Sequence, residues 1–130
     1  IVAGVAFSHP RTTAPHACSF PLTNIYGLPH GEACAFTLDY FLKFNAERAD
    51  GDGRITALAK DCGFNDAFEM ADEITAMKKR MGMRCTLSEI GCETDEQIDE
   101  LTKKSMSMLM TRNPITLTQK DIREMYIKLK

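Results

Sequence analysis

Helix-start signals recur along this chain and set its fold class. Thr94-x-x-Gln97 is a capping box, in which the hydroxyl accepts a first-turn backbone N–H and the amide reaches back. Behind it Ile98, Leu101, Ser105, Met108 and Leu109 keep to one face at helical spacing. Asp66-x-x-Glu69 opens another helix, with Phe64, Ala67, Phe68, Ala71, Ile74 and Met81 on one side and Gly82 placed to end it. Thr118 opens a last helix, with Asp121 at the positive end of its dipole and a stripe of Ile122, Met125, Tyr126 and Leu129. Ile55 to Cys62, closed by Gly63, reads as a short helix, and Thr86-x-x-Glu89 before Gly91 as a single turn. No segment alternates as a strand does. The expected architecture is all-α, a bundle of about six to seven helices spanning residues 1–130.

The first third of the chain differs from the rest. Of 16 Lys+Arg and 18 Asp+Glu, only Arg11, Glu32, Asp39 and Lys43 fall before residue 46, yet all three histidines (His9, His16 and His30) lie there. A nearly uncharged stretch that keeps its imidazoles reads as the inside of something. Thr12 or Thr13 caps a helix with Pro15 in its first turn, and Pro21 bends or breaks that helix. Gly27-Leu28-Pro29 makes a turn, and His30 opens a helix, apolar nearly all round, that runs to about Asn45.

Composition excludes several classes. A net charge of −2 leaves no basic surface for nucleic acid, and no run of eighteen apolar residues spans a bilayer. Five cysteines without a C-x-x-C fit neither a disulfide framework nor a zinc ribbon, and read as free thiols, mostly core residues, in a reducing cytoplasm. No G-x-G-x-x-G or P-loop is present. Asp50-Gly51-Asp52-Gly53 looks like part of a calcium loop, but Arg48 and Ala59 occupy positions that need oxygen ligands, so a tight turn before a helix is expected. Lys78-Lys79-Arg80 is expected to neutralise a helix C-terminus, with a phosphate contact as the alternative.

His16 and His30 each fall in the first turn of an expected helix. The positive dipole end disfavours imidazolium there and keeps a ring lone pair free for a borderline divalent ion. Fourteen residues apart, they are not an i,i+4 pair, and two hydrogen-bonded structural histidines remain the alternative. His9, just before Pro10, is not expected to be a ligand.

Thr12-Thr13-Ala14-Pro15-His16-Ala17-Cys18-Ser19-Phe20-Pro21-Leu22-Thr23, read with Tyr26-Gly27-Leu28-Pro29-His30-Gly31-Glu32-Ala33, resembles the second half of the iron-containing (group III, iron-activated) alcohol dehydrogenases. That signature has a His, then a second His fourteen residues later in a Pro-His-Gly turn, then a long apolar helix ending near Phe-Asn, matched here by His16, His30 and Phe44-Asn45. Arg112-Asn113-Pro114 and the final amphipathic helix resemble the family's C-terminal end, so the resemblance covers the whole chain.

The resemblance implies that residues 1–130 are the C-terminal metal-binding helical domain of a two-domain NAD(P)-linked oxidoreductase, cut from a longer protein. In that family an Asp and three His hold one divalent metal, and two of those His map onto His16 and His30. Fe²⁺ is the first choice and Zn²⁺ the second. The implied partners are a small alcohol or aldehyde substrate, the protein's own N-terminal nucleotide-binding domain holding NAD or NADP, and a further copy in a homo-oligomer. Phe20 stands where many members have a further His, and can neither ligate nor relay a proton. The wording is more similar to the phosphonoacetaldehyde reductase branch than to the diol and lactaldehyde reductases. Hydride transfer with a Lewis-acid metal is the implied reaction, and the 130-residue chain alone is expected to be silent. The competing expectation is a non-catalytic helical interaction module with structural histidines.

Overall fold

The computed structural model describes Val2, Gly4 and residues 12–130. His9 therefore lies outside the described residues. Among them are seven α-helices, three short 3₁₀ turns and no strand. The helices are α1 (Ala14–Tyr26), α2 (His30–Phe36), α3 (Leu38–Ala49), α4 (Arg54–Asp61), α5 (Ala67–Arg80), α6 (Asp95–Ser105) and α7 (Gln119–Lys128). None is long and apolar enough to cross a membrane.

The helices pack in two groups. α1 lies against α2 and α6, and α7 packs on α6. α5 covers α3, with α4 beside it. One core runs through the first group and is built from Cys18, Leu22, Leu28, Phe36, Leu87, Ile98, Leu101, Met110, Ile122, Met125 and Tyr126, all essentially inaccessible. Inside it the Tyr126 hydroxyl and the Ser105 hydroxyl are 2.8 Å apart, and Ser105 also donates to the Leu101 carbonyl. The aromatic's polar tip is thereby satisfied in an apolar surrounding.

The helix starts form as the local chemistry demands. Thr94 accepts from the Gln97 N–H and Gln97 reaches back, while Thr118 and Asp121 make the same reciprocal pair at α7. Asp66 accepts from the Phe68 and Glu69 N–H groups at the start of α5. Gly82, at φ 69°, closes α5, with its N–H on the Lys79 carbonyl and that of Met83 on the Lys78 carbonyl. The Asp50-Gly51-Asp52 turn is a 3₁₀ segment, and the Asp50 carboxylate takes the Ile55 N–H, the Thr56 N–H and the Thr56 hydroxyl.

Several expectations need correction. Thr13 occupies the N-cap of α1 but makes no side-chain cap bond. Pro21 does not end α1, which runs on to Tyr26. A proline inside a helix costs about 3 kcal/mol. Here Pro21 is buried beside Ala17, Cys18 and Leu22, so packing outweighs the lost ladder bond.

The helix from His30 is two helices, parted at Thr37, whose ψ of 0° departs from the helical value. It is also buried on one side only: Phe36, Phe41 and Phe44 face inward while Leu38 is exposed.

α6 stops at Ser105 because Ser107 starts a separate 3₁₀ turn over Met108–Arg112, accepting the Leu109 N–H. Met108 is thus 75% exposed and Met110 takes the core position. On α5 the buried face is Ala67, Ala71 and Lys78, and Phe68 and Met81 are turned outward. Of the five cysteines, all free, Cys18 and Cys92 alone are core residues.

The break at Thr37 has an identifiable partner. Lys78, expected to neutralise the C-terminus of its own helix, is buried, and its ammonium donates to the Phe36 carbonyl at 3.3 Å and to Asp39 Oδ1 at 2.6 Å. Thr75 donates to the other Asp39 oxygen at 2.5 Å. One cation therefore donates both to the loose carbonyl at the end of α2 and to the carboxylate in the first turn of α3.

Candidate metal centre

His16 sits in the first turn of α1 and His30 is the first residue of α2. Ala14, Ala17 and Ala33 are buried on these two helices, and such small residues let backbones approach closely. The packing brings the two rings together, with centroids 4.9 Å apart and planes 88° from parallel. Phe20, one turn along from His16, stands edge-on to that ring at 4.9 Å and lies 6.0 Å from the His30 ring. It is 46% exposed, so one face of the pair carries an aromatic wall instead of a polar group.

Ser19 determines what the His30 ring can do. Its hydroxyl donates to the His16 carbonyl at 2.7 Å and lies 3.4 Å from His30 Nδ1. A hydroxyl has one hydrogen, and here the His16 carbonyl receives it. The remaining contact is a hydrogen bond in the tautomer that carries its hydrogen on Nδ1, and that tautomer leaves the lone pair of His30 on Nε2.

That lone pair has company. Cys34 lies one helical turn after His30 on α2, with its Sγ 3.7 Å from His30 Nε2 and 3.6 Å from His16 Nδ1. The ligand atoms of His16, His30 and Cys34 all fall within 4.8 Å of one another. Burial, and then the nearby His30 ring, lower the pKa of His16 and favour its neutral form.

One neighbour holds α2 in place. Arg84 grips Glu32 with Nε on one oxygen at 2.9 Å and a terminal nitrogen on the other at 2.8 Å, and its backbone N–H adds a third bond. The guanidinium's hydrogen bonds hold the Glu32 carboxyl down at about 2. An open groove of about 410 Å³ borders the cluster, lined by Thr13, Pro15, His16, Gly31, Cys34 and Leu38. A smaller pocket between Tyr40 and Arg48 lies away from the histidines.

The sequence placed His16 and His30 as candidates but did not show that they meet; the packing of α1 on α2 does. Cys34 was missed, although His30 and Cys34 stand at i,i+4 on one helix face, the spacing that aligns side chains. Ser19, Glu32 and Arg84 carried no sequence signal, since each acts through tertiary contact.

Fold and site together define an all-helical domain that gathers two imidazoles and a thiol at the starts of adjacent helices. The model of the Fe-containing alcohol dehydrogenase family, C-terminal part, matches residues 1–129. The chain belongs to that family. It is 30% identical over 128 residues to an alcohol dehydrogenase of Thermococcus barophilus, covering 96% of this chain and 33% of the relative. Among solved structures, a sulfoacetaldehyde reductase from Bifidobacterium kashiwanohense in complex with NAD+ superposes with a TM-score of 0.91 at 46% identity, over 98% of this chain and 33% of that one. An iron-containing alcohol dehydrogenase from Thermococcus thioreducens gives 0.80 at 27% identity, over 98% and 34%. The chain therefore spans about a third of the length of its relatives.

Proposed function

We propose that this chain is the metal-binding C-terminal domain of an NAD(P)-linked alcohol dehydrogenase or aldehyde reductase, with His16 and His30 as two of the metal's ligands. The observation that carries the reading is the convergence of two imidazoles, fourteen residues apart in sequence, to 4.9 Å in a member of an iron-named family. The donor set fits the group: neutral imidazole suits Fe²⁺ and Zn²⁺, and Ser19 leaves the His30 Nε2 lone pair free to bind.

His16 and His30 would hold a divalent ion, and the chemistry that ion would supply there is Lewis acidity toward a carbonyl oxygen as a nicotinamide hydride is transferred. The residues of this chain bind and shape. His16 and His30 donate lone pairs, Ser19 fixes a tautomer, and Arg84 with Glu32 fixes the helix that carries His30. Phe20 keeps water from one side of the rings and offers no proton path.

The groove beside His16 and Cys34 admits a small substrate, and the likeness to an NAD+-bound sulfoacetaldehyde reductase favours a small aldehyde with NAD as the nucleotide. The remaining ligands and the nucleotide site belong to the protein's other domain, for which the exposed Phe20 and Leu38 beside the site form a natural seat.

The test is elemental analysis and NAD(P)H-dependent aldehyde reduction in the full-length protein. His16→Ala and His30→Ala are each expected to lose the metal and the activity together. Wild-type metal occupancy in either variant overturns the ligand assignment.

A further inference from the structure

We propose that Cys34 is a third protein donor to the same ion, so that this chain contributes a mixed nitrogen–sulfur site instead of two imidazoles alone. The inference rests on the metal reading above and adds a ligand to it.

The geometry around Sγ carries the argument. Its neighbours His16 Nδ1 and His30 Nε2 lie at 3.6 and 3.7 Å, nearly equal distances. A thiol has one proton and can serve one nitrogen at a time. In the tautomer whose Nδ1–H bonds to Ser19, His30 Nε2 offers a lone pair and no hydrogen. Sγ and the two ring nitrogens are ligand atoms of the kinds a borderline divalent ion takes, gathered within 4.8 Å of one another.

The distances also have the right size. Metal–sulfur bonds of about 2.3 Å and metal–nitrogen bonds of about 2.0–2.1 Å, meeting at about 110–120° as neighbouring donors do around a four- or five-coordinate ion, put sulfur and nitrogen about 3.6–3.8 Å apart. The two S···N separations match that edge. The i,i+4 placement of His30 and Cys34 on α2 fixes one of them by helix geometry, and the packing of α1 on α2 sets the other. Cys34 is partly exposed toward the groove, so an ion has a path to it.

On binding, the sulfur–metal bond forms as the thiol proton leaves to water. A thiolate in the set favours softer borderline ions, Zn²⁺ and Co²⁺ over Mg²⁺ or Mn²⁺.

The experiment uses the full-length protein stripped of metal and reloaded with Co²⁺ alone, followed by absorption spectroscopy and metal analysis. A sulfur-to-cobalt charge-transfer band in the near ultraviolet is expected, which imidazole and carboxylate donors do not produce. Cys34→Ser, nearly isosteric, is expected to lose the band and weaken Co²⁺ binding by at least about 10-fold, because it removes a direct ligand where even outer-shell changes cost about 10- to 100-fold. Cys62→Ser, at an exposed thiol, is expected to keep the band. Visible cobalt ligand-field bands without the charge-transfer band, or a band that survives Cys34→Ser, overturn the thiol inference and leave the histidine reading standing. No Co²⁺ retained by the wild type, or equal retention by His16→Ala and His30→Ala, overturns both.

Discussion

Replacing Lys78 by Met tests whether one buried cation holds α2 against α3. The Lys78 side chain is 4% exposed and its Asp39 partner 12%. Methionine nearly matches the lysine stem in volume, so packing is largely retained and the charge is what is lost. Asp39 keeps its Thr75 hydrogen bond but loses its counter-charge, and the Phe36 carbonyl loses its donor. Breaking one side of a buried pair costs about 3–5 kcal/mol, and the Thr75 bond places Lys78→Met near the lower figure.

Asp39→Asn is expected to cost more, since it strands an ammonium with less access to water. The double variant is expected to cost less than the two single changes added together, with a coupling of about 2 kcal/mol. At roughly 3–4 °C per kcal/mol for a chain of this size, Lys78→Met should lower Tm by about 10 °C. Urea and thermal unfolding followed by far-ultraviolet circular dichroism read these differences. Single variants within about 1 kcal/mol of wild type would mean that the pair behaves as an exposed one, and the reasoning fails. A double variant equal to the sum refutes the coupling.

Two further outcomes follow from the same structure. Ser19→Ala removes the acceptor that holds the Nδ1–H of His30, so metal affinity in the full-length protein should fall by about 10- to 100-fold, with Ser19→Thr restoring most of it; equilibrium dialysis against a competing chelator measures it, and unchanged affinity in the alanine variant removes Ser19 from the site. The Thr56 hydroxyl and the Ile55 and Thr56 N–H groups hold the pKa of Asp50 below its ordinary value. Its stabilising contribution is therefore fully present above the unfolded value of about 3.9 and is lost as pH falls through the lower folded value. Asp50→Asn should flatten that acid limb in a plot of unfolding midpoint against pH, and an unchanged limb rejects the assignment.

What was legible in the sequence was local. Thr94, Thr118 and Asp66 announce their helices because an N-cap is satisfied by residues two or three places on. Pro21 misled because its cost is local while the burial that overrides it is tertiary. Lys78 reads in the sequence as neutralising its helix's C-terminus because nothing within a turn of it is acidic; its partner lies 39 residues away. The Glu32–Arg84 clamp spans 52 residues and was invisible for the same reason. In the candidate site, the motif resemblance picked out His16 and His30, the packing of two helices brought them together, and Cys34 was readable from helix spacing alone.

The seven residues of α2 have a consequence for the order of events in the cell. A helix of two turns does not persist in isolation, because nucleation outweighs so few backbone bonds. His16 and His30 therefore do not meet in the nascent chain, and the arrangement of donors comes into being only with the bundle. Domains that fold around zinc use the ion as a nucleus and fall apart under chelators. This one is expected to fold first and load afterwards, emptying and refilling without losing its shape.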